Sequence, residues 1–465
     1  MTSDKPRVLI VAEHASAKFG GEAALPLHYF RVLRKRQIEA WLVVHERTRD
    51  ELQLYFGDDF DRIFFVPDTI MHRLLWRIGQ FLPQRLAYFT IWFPLRLLTQ
   101  FVQRRLVKQI VQSHQITVVH QPIPVSPKEP SLIFDVGAPV IIGPMNGDMN
   151  YPPDFQWMQS RLVYLTLNAG RFLSNWLNWL IPGKRRAAIL LVANTRTRAA
   201  LPNGTCSDVV KLHENGVDLS VWQPKPEKPT QATRRPPNEP SSQSTKFIFV
   251  GRLVHWKAVN LLLTAFAQVA QHWPVELEII GDGPESISLQ QQAKALGLLS
   301  LHKSQSGDQT KSDPVEPYSS VRFLGWLSQA DCAQRLQQSD VMVLPSMLEC
   351  GGAVILESMA MGVPVIATNW GGPSDYLNES CGILIEPRSQ QSFVNDLAAA
   401  MIQMAASPAL RRSMGQMARH RVMSHFDWDV KVDAILDIYR DVLKATLPTR
   451  PLISPENTGS AISRV

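Results

Sequence analysis

Two glutamates, Glu349 and Glu357, flank a pair of glycines in residues 345–367, PSMLECGGAVILESMAMGVPVIA. Residues 340–344 (DVMVL) are an apolar run of strand type, 353–361 a run of helix length stopped by Gly362, and 363–367 a second buried-type strand. The pattern predicts Glu349 in the loop before a helix and Glu357 on its second turn. The first free backbone N–H groups, near Gly352, Ala353 and Val354, then lie between the carboxylates. A helix start with small residues in front of it suits a phosphate or diphosphate, because unpaired donors and the helix dipole point outward together. Carboxylates on either side can accept hydrogen bonds from hydroxyls, so the chemistry that fits is that of a nucleotide sugar. Acidic residues near a helix start are also ordinary partners of the dipole, contributing about 0.3–1 kcal/mol. The pair alone therefore leaves both readings open.

The elements that would hold these residues repeat through the chain. Residues 7–12 (RVLIVA) read as a buried strand, followed by Gly20, Gly21 and a helical stretch to Leu33. Strand, glycine turn and helix open a Rossmann-like domain in which the backbone can approach a phosphate. Further strands are expected at 39–45, 116–120, 139–143 and 190–193. Two of them end in His120 and in Asn146, at the sheet edge where ligands bind in open α/β folds. The Pro- and Ser-rich residues 223–245 cannot form a core and read as a linker. A second strand–glycine–helix start follows, 246–250 and then Gly251, Arg252 and Lys257, with strands at 277–281, 321–325 and 381–386 and a turn at Gly281, Asp282 and Gly283. The expected division is 1–222 for a first domain, 246–426 for a second, a last helix over 427–446 and a tail over 447–465, with a polar surface insert at 302–320.

A chain of 465 residues can build two cores, and 45% apolar with 19% charged residues excludes a disordered protein. The net charge of +7 fits an anionic substrate or an anionic membrane surface. Cys206, Cys332, Cys350 and Cys381 lack metal-type spacing and are expected to be free thiols in a reducing compartment. The N-terminus enters a strand without a signal-peptide pattern, and no apolar run reaches the roughly 20 residues of a membrane span. Residues 71–112 interleave arginines (Arg73, Arg77, Arg85, Arg96, Arg104, Arg105) with Trp76, Phe81, Trp92 and Phe101. These are either ordinary domain helices or an interfacial patch, aromatic side chains at the lipid boundary and arginines on anionic head groups. No nucleic-acid motif accompanies them.

The stretch Glu349, Gly352, Glu357, Ala360, Gly362, Pro364 resembles the E-x7-E signature of the retaining glycosyltransferase family 4, whose fold is GT-B. Gly251, Arg252 and Lys257 are similar to that family's G-R-L-x-x-x-K-G pattern, with Ala258 for the second glycine. The segments G-D-G-P (281–284) and N-G-V-D (215–218) are similar to others. The likeness covers residues 246–386 and is looser before them. It implies α/β architecture with two Rossmann-like domains facing across a cleft and a last helix crossing back to the first domain. It also implies a metal-independent, retaining hexosyltransferase without a cofactor. Arg252 and Lys257 would neutralise a departing UDP or GDP, and Glu349 would contact donor-sugar hydroxyls. Glu357 would hold the ribose, and Gly20, Gly21, Gly251, Gly281, Gly283, Gly352, Ala353 and Val354 would line the donor site.

Two departures stand out. Gly351 replaces a residue that is more often Phe, which predicts a looser pocket beside the sugar. The stretch GPMNGD (143–148) lacks the histidine many relatives carry there, leaving His120 and Asn146 as acceptor-side candidates. The basic aromatic helices favour a lipid-linked saccharide acceptor in cell-surface polysaccharide assembly, on the inner membrane face. A soluble sugar phosphate or glucan acceptor, and an inactive partner protein, are the alternatives. A nicotinamide dehydrogenase is disfavoured, since no G-x-G-x-x-G follows either opening strand.

Overall fold

A computed structural model describes residues 5–18, 21–82, 87–159, 161–224, 244–299 and 320–446, the side chains of residues 88, 89, 161–169 and 446 excepted. Gly20, nearly all of the expected linker, the 302–320 insert up to its last residue and the 447–465 tail lie outside the described residues.

Among the described residues, short runs of Val, Ile and Leu form two parallel sheets. The first has seven strands: β1 (Val8–Val11), β2 (Ala40–His45), β3 (Ile63–Val66), β4 (Val118–Gln121), β5 (Val140–Met145), β6 (Ile189–Val192) and β7 (Val209–Lys211). Their order is β3-β2-β1-β4-β5-β6-β7. The second has six: β8 (Thr245–Val250), β9 (Val275–Ile280), β10 (Ser320–Gly325), β11 (Val341–Leu344), β12 (Val365–Thr368) and β13 (Gly382–Ile385), in the order β10-β9-β8-β11-β12-β13. The strands are continuous apolar runs because both faces are covered. In β1, Val8 and Ile10 join one core and Leu9 and Val11 the other, on opposite faces of the sheet. The strands read from the sequence are present within one or two residues. β3 and β7 were not among them, being short edge strands with too little pattern to read.

The last helix, Trp428–Thr446, returns to the first domain. Val432, Ile435, Tyr439 and Val442 are buried there against residues of the helix Gly21–Lys35. Its Lys431 is buried, and the Nζ donates to the carbonyls of His213, Glu214 and Asn215. In exchange the first domain lends Tyr151, Phe155, Val217 and Trp222 to the core around the second sheet.

Candidate active site between the two sheets

In the second sheet the strand order reverses between β8 and β11, and the crevice at such a point is where open α/β folds bind ligands. The turn after β8 carries Arg252, exposed and without an ion-pair partner among the described residues, and the short helix His255–Lys257. Ala258, in place of the usual glycine, keeps the glycine-like backbone with φ at +52°. Gly281 and Gly283 brace this turn from β9. A Cβ on Gly281 would stand 1.9 Å from the Gly251 carbonyl oxygen, and one on Gly283 2.3 Å from that of Leu253. The Leu253 N–H donates to the Asp282 carbonyl at 2.9 Å. In this geometry both glycines position the Arg252 turn.

After β11, Gly352 (φ +81°) caps the helix Ala353–Ala360 and turns its first N–H groups toward the crevice. Glu349 reaches across to Lys257, and the two form an ion pair with side chains only 13% and 15% exposed. The glycine turn after β12 supports this loop, the Gly372 N–H donating to the Glu349 carbonyl at 2.8 Å. Glu357 lines a cavity of about 240 Å³ shared by both domains, with Gly21, His28, Asn215 and Ala353. Burial pushes the Glu357 carboxyl up to about 7. Gly21 has open space where a side chain would stand. The β8 turn thus carries Arg252 and Lys257, the loop after β11 brings Glu349 to Lys257, and Glu357, on the helix that follows, shares its cavity with Gly21 of the first domain.

Three expectations need correction. Gly351 does not loosen the pocket. A Cβ there would stand 2.3 Å from Asn215 Nδ2 and 3.6 Å from Glu214 Oε1, so the first domain fills that space. His120 is fully buried, its Nε2 paired with the Gly143 carbonyl at 2.6 Å and its Nδ1 with the Tyr439 hydroxyl at 2.7 Å, and it presents no atom to an acceptor. Asn146 is 4% exposed and serves as a strut: its Nδ2 donates to the Cys350 carbonyl, 2.8 Å away in the Glu349 loop. Companion links across the cleft run from Asn194 to Asp375 (2.8 Å), from Asn215 to the Tyr376 hydroxyl (3.0 Å) and between Tyr151 and His255 (3.0 Å).

Sequence reasoning missed Glu214 and a first-domain cavity. Glu214 is 6% exposed, and its Oε2 has no hydrogen-bond partner. Burial above all, with Glu22 and Glu349 nearby, raises its carboxyl to about 7. Its place directly before N-G-V-D was the available signal. The cavity, about 430 Å³, opens beyond the ends of β1 and β4, where the first sheet reverses its order. Its wall includes Glu13, Glu22, Trp92, Arg96 and Glu129, from segments far apart in sequence. Burial raises all three carboxyls, and Arg96 pairs with Glu129 at 3.3 Å.

Two parallel α/β sheets facing across a cleft, each with a binding crevice at its reversal and a last helix crossing back, define the GT-B fold of glycosyltransferases. Residues 230–421 match the family model described as glycosyl transferases group 1, so the second half carries that domain. The chain is 29% identical over 232 residues to a glycogen synthase of Mycobacterium tuberculosis (strain ATCC 25618 / H37Rv), covering 50% of this chain and 48% of that one. It is 34% identical over 205 residues to an N-acetyl-alpha-D-glucosaminyl L-malate synthase of Bacillus anthracis, covering 44% and 47%. The chain thus spans about half the length of these curated relatives. Among solved structures, Anabaena Alr3699/HepE in complex with UDP has a similar fold, with a TM-score of 0.57 at 16% identity over 94% of this chain and 100% of that one.

Proposed function

We propose that this chain is a retaining, metal-independent member of glycosyltransferase family 4 that moves a hexosyl unit from a UDP- or GDP-sugar to a lipid-linked saccharide in cell-surface polysaccharide assembly. The observation that carries the reading is the Lys257–Glu349 pair beside the Gly352-capped helix start, with Arg252 on the same β8 turn as Lys257. The donor diphosphate would lie on the helix N–H groups near Gly352, Ala353 and Val354, between the Arg252 guanidinium and the Lys257 ammonium. These charges stabilise the leaving group as the glycosidic bond breaks and do the work a divalent cation would otherwise do. Binding the diphosphate draws Lys257 from Glu349, whose carboxylate turns to the sugar hydroxyls, while Glu357 accepts from the ribose. The leaving phosphate oxygen takes the acceptor proton on the same face, so neither glutamate acts as a general base. The nucleotide in the similar Anabaena structure supports this kind of donor.

The acceptor is read from the first domain. Ile70, Leu74, Trp76 and Phe81 on or beside the helix Ile70–Gln80, and Phe172, Trp176 and Trp179 on the helix Arg161–Leu180, are exposed apolar side chains of the kind that enter a lipid interface. Among the described residues no helix is long and apolar enough to cross a membrane. Attachment would therefore be peripheral, on the cytoplasmic face where nucleotide sugars are available. The second reading, a soluble acceptor, is favoured by the names of the relatives, a glycogen synthase and a malate-conjugate synthase. The test is release of nucleoside diphosphate from a panel of UDP- and GDP-sugars without divalent metal, with and without membrane lipid extract. Turnover of one donor that needs lipid supports the proposal. Turnover with soluble glucan or sugar phosphate and no need for lipid moves the protein to the second reading. No turnover from a folded protein points to an inactive partner.

A further inference from the structure

A second cavity, of about 270 Å³, lies between the end of β2 and the helix Ile70–Gln80, lined by Arg47, Asp68, His72, Arg73, Trp76 and Arg77. Arg47 belongs to the walls of both this cavity and the 430 Å³ cavity beside Glu129. Its guanidinium is 3.2 Å from Asp68, which uses the one carboxylate of the lining. Arg73 and Arg77, one helical turn apart, have no ion-pair partner among the described residues. The helix that carries them is firmly seated. Thr69 caps it, and the ring of buried His72 links Thr69 Oγ1 at 2.7 Å to Thr99 Oγ1 at 3.1 Å on the helix Phe93–Ser113.

Three guanidiniums against one carboxylate around a cavity of this size make an anion site, and forked guanidiniums suit phosphate oxygens. The neighbouring cavity has more acid than base in its wall, the carboxyls of Glu13, Glu22 and Glu129 standing against the guanidiniums of Arg47 and Arg96 beside the Trp92 ring. It suits hydroxyls and a sugar face better than a charged group. On the same helix, Ile70, Leu74 and Ile78, spaced by one turn each, form an exposed apolar stripe beside the arginines. A polar cavity, a basic cavity and an apolar stripe therefore succeed one another along the first domain. An acceptor with a saccharide end, a phosphate junction and a hydrocarbon tail has the same sequence of chemistry.

We infer that Arg47, Arg73 and Arg77 bind the phosphate or diphosphate that joins sugar to lipid in a membrane-borne acceptor, with the saccharide in the adjoining cavity. This rests on the lipid-linked reading above and locates the acceptor within it. The basic cavity reads the anionic junction, and the acidic cavity reads the uncharged sugar beyond it.

The experiment is flotation of the full-length protein with phosphatidylcholine vesicles, plain or doped with a prenyl diphosphate, for wild type and Arg73→Gln/Arg77→Gln. Titration calorimetry with inorganic pyrophosphate, and binding of nucleoside diphosphate to the second domain, run alongside. Doping is expected to strengthen wild-type binding, and the double substitution to weaken binding to doped vesicles by roughly thirtyfold, at about fivefold per arginine near a lipid surface. Nucleoside diphosphate binding should be unchanged in the variant, which also shows that it folds. Equal binding of wild type and variant to doped vesicles would overturn the site. Pyrophosphate binding that the variant loses, without any gain of wild type from doping, would overturn the membrane source in favour of a soluble anion. Failure of the transferase reading appears separately, as absence of nucleoside diphosphate release from every sugar donor.

Discussion

Lys257 and Glu349 hold each other in an ion pair that a donor diphosphate would have to divide. Lys257→Met keeps the length of the side chain and removes its charge. It is expected to lower kcat by about 10²- to 10³-fold, the usual loss when one preorganised charge partner of a developing anion is removed. Single-turnover kinetics, with circular dichroism to confirm folding, would measure this, and a loss below tenfold would remove Lys257 from leaving-group stabilisation. Glu357 makes a prediction about pH. Its folded pKa of about 7 lies above the ordinary carboxyl value of 4.5, so between those values the folded chain keeps a proton the unfolded chain has lost. Stability therefore falls as pH rises through that window. Denaturant midpoints at about pH 5 and about pH 8 should fall less in Glu357→Gln than in wild type, with a remaining slope from Glu214, which shifts in the same direction. At this scale the placement of Arg252, Lys257 and Glu349 in turns and of Glu357 on a helix was legible because each lies in a short local pattern. The tight surroundings of Gly351 were not, because Asn215 arrives from 136 positions away in the chain.

The turns after β8 and β9 depend on each other's backbone. Gly281 has φ +131°, and its missing Cβ would overlap the Gly251 carbonyl oxygen. Gly281→Ala therefore combines a steric clash with an unfavourable φ and should cost more than about 3 kcal/mol in chemical denaturation. Loss of less than about 1 kcal/mol would show that the β8 turn does not need this contact. Tyr439→Phe tests the seam of the last helix. It leaves His120 Nδ1 buried without its partner, at a cost of about 1–3 kcal/mol in the same measurement. Eleven strands could be read from their buried apolar runs, and their C-terminal turns identified the second-domain crevice. The two cavities of the first domain could not be read, since their walls combine strand ends, a helix start and loops with no shared local pattern.

Over the whole molecule, the net charge of +7 and the exposed arginines beside apolar helices predict binding to anionic vesicles that weakens with salt. Sedimentation at low and at physiological ionic strength should show severalfold weaker binding at the higher salt, and Leu74→Glu should abolish it. Salt-independent binding would mean that the arginines do not face the lipid. The division into two sheets and the return of the last helix were legible as consequences of the resemblance, whereas the exchange of core residues between domains was not. That exchange has a consequence for how the protein is made. Val432, Ile435, Tyr439 and Val442 complete the interior of the domain that begins at Val8, and Lys431 fastens three carbonyls of its final segment. During synthesis the apolar side of the helix Gly21–Lys35 that meets the last helix must wait until Val442 has left the ribosome. The domain translated first is thus the last to finish folding, and a ribosome stalled anywhere in the second half would leave it with a sticky, unclosed face for a chaperone to shield.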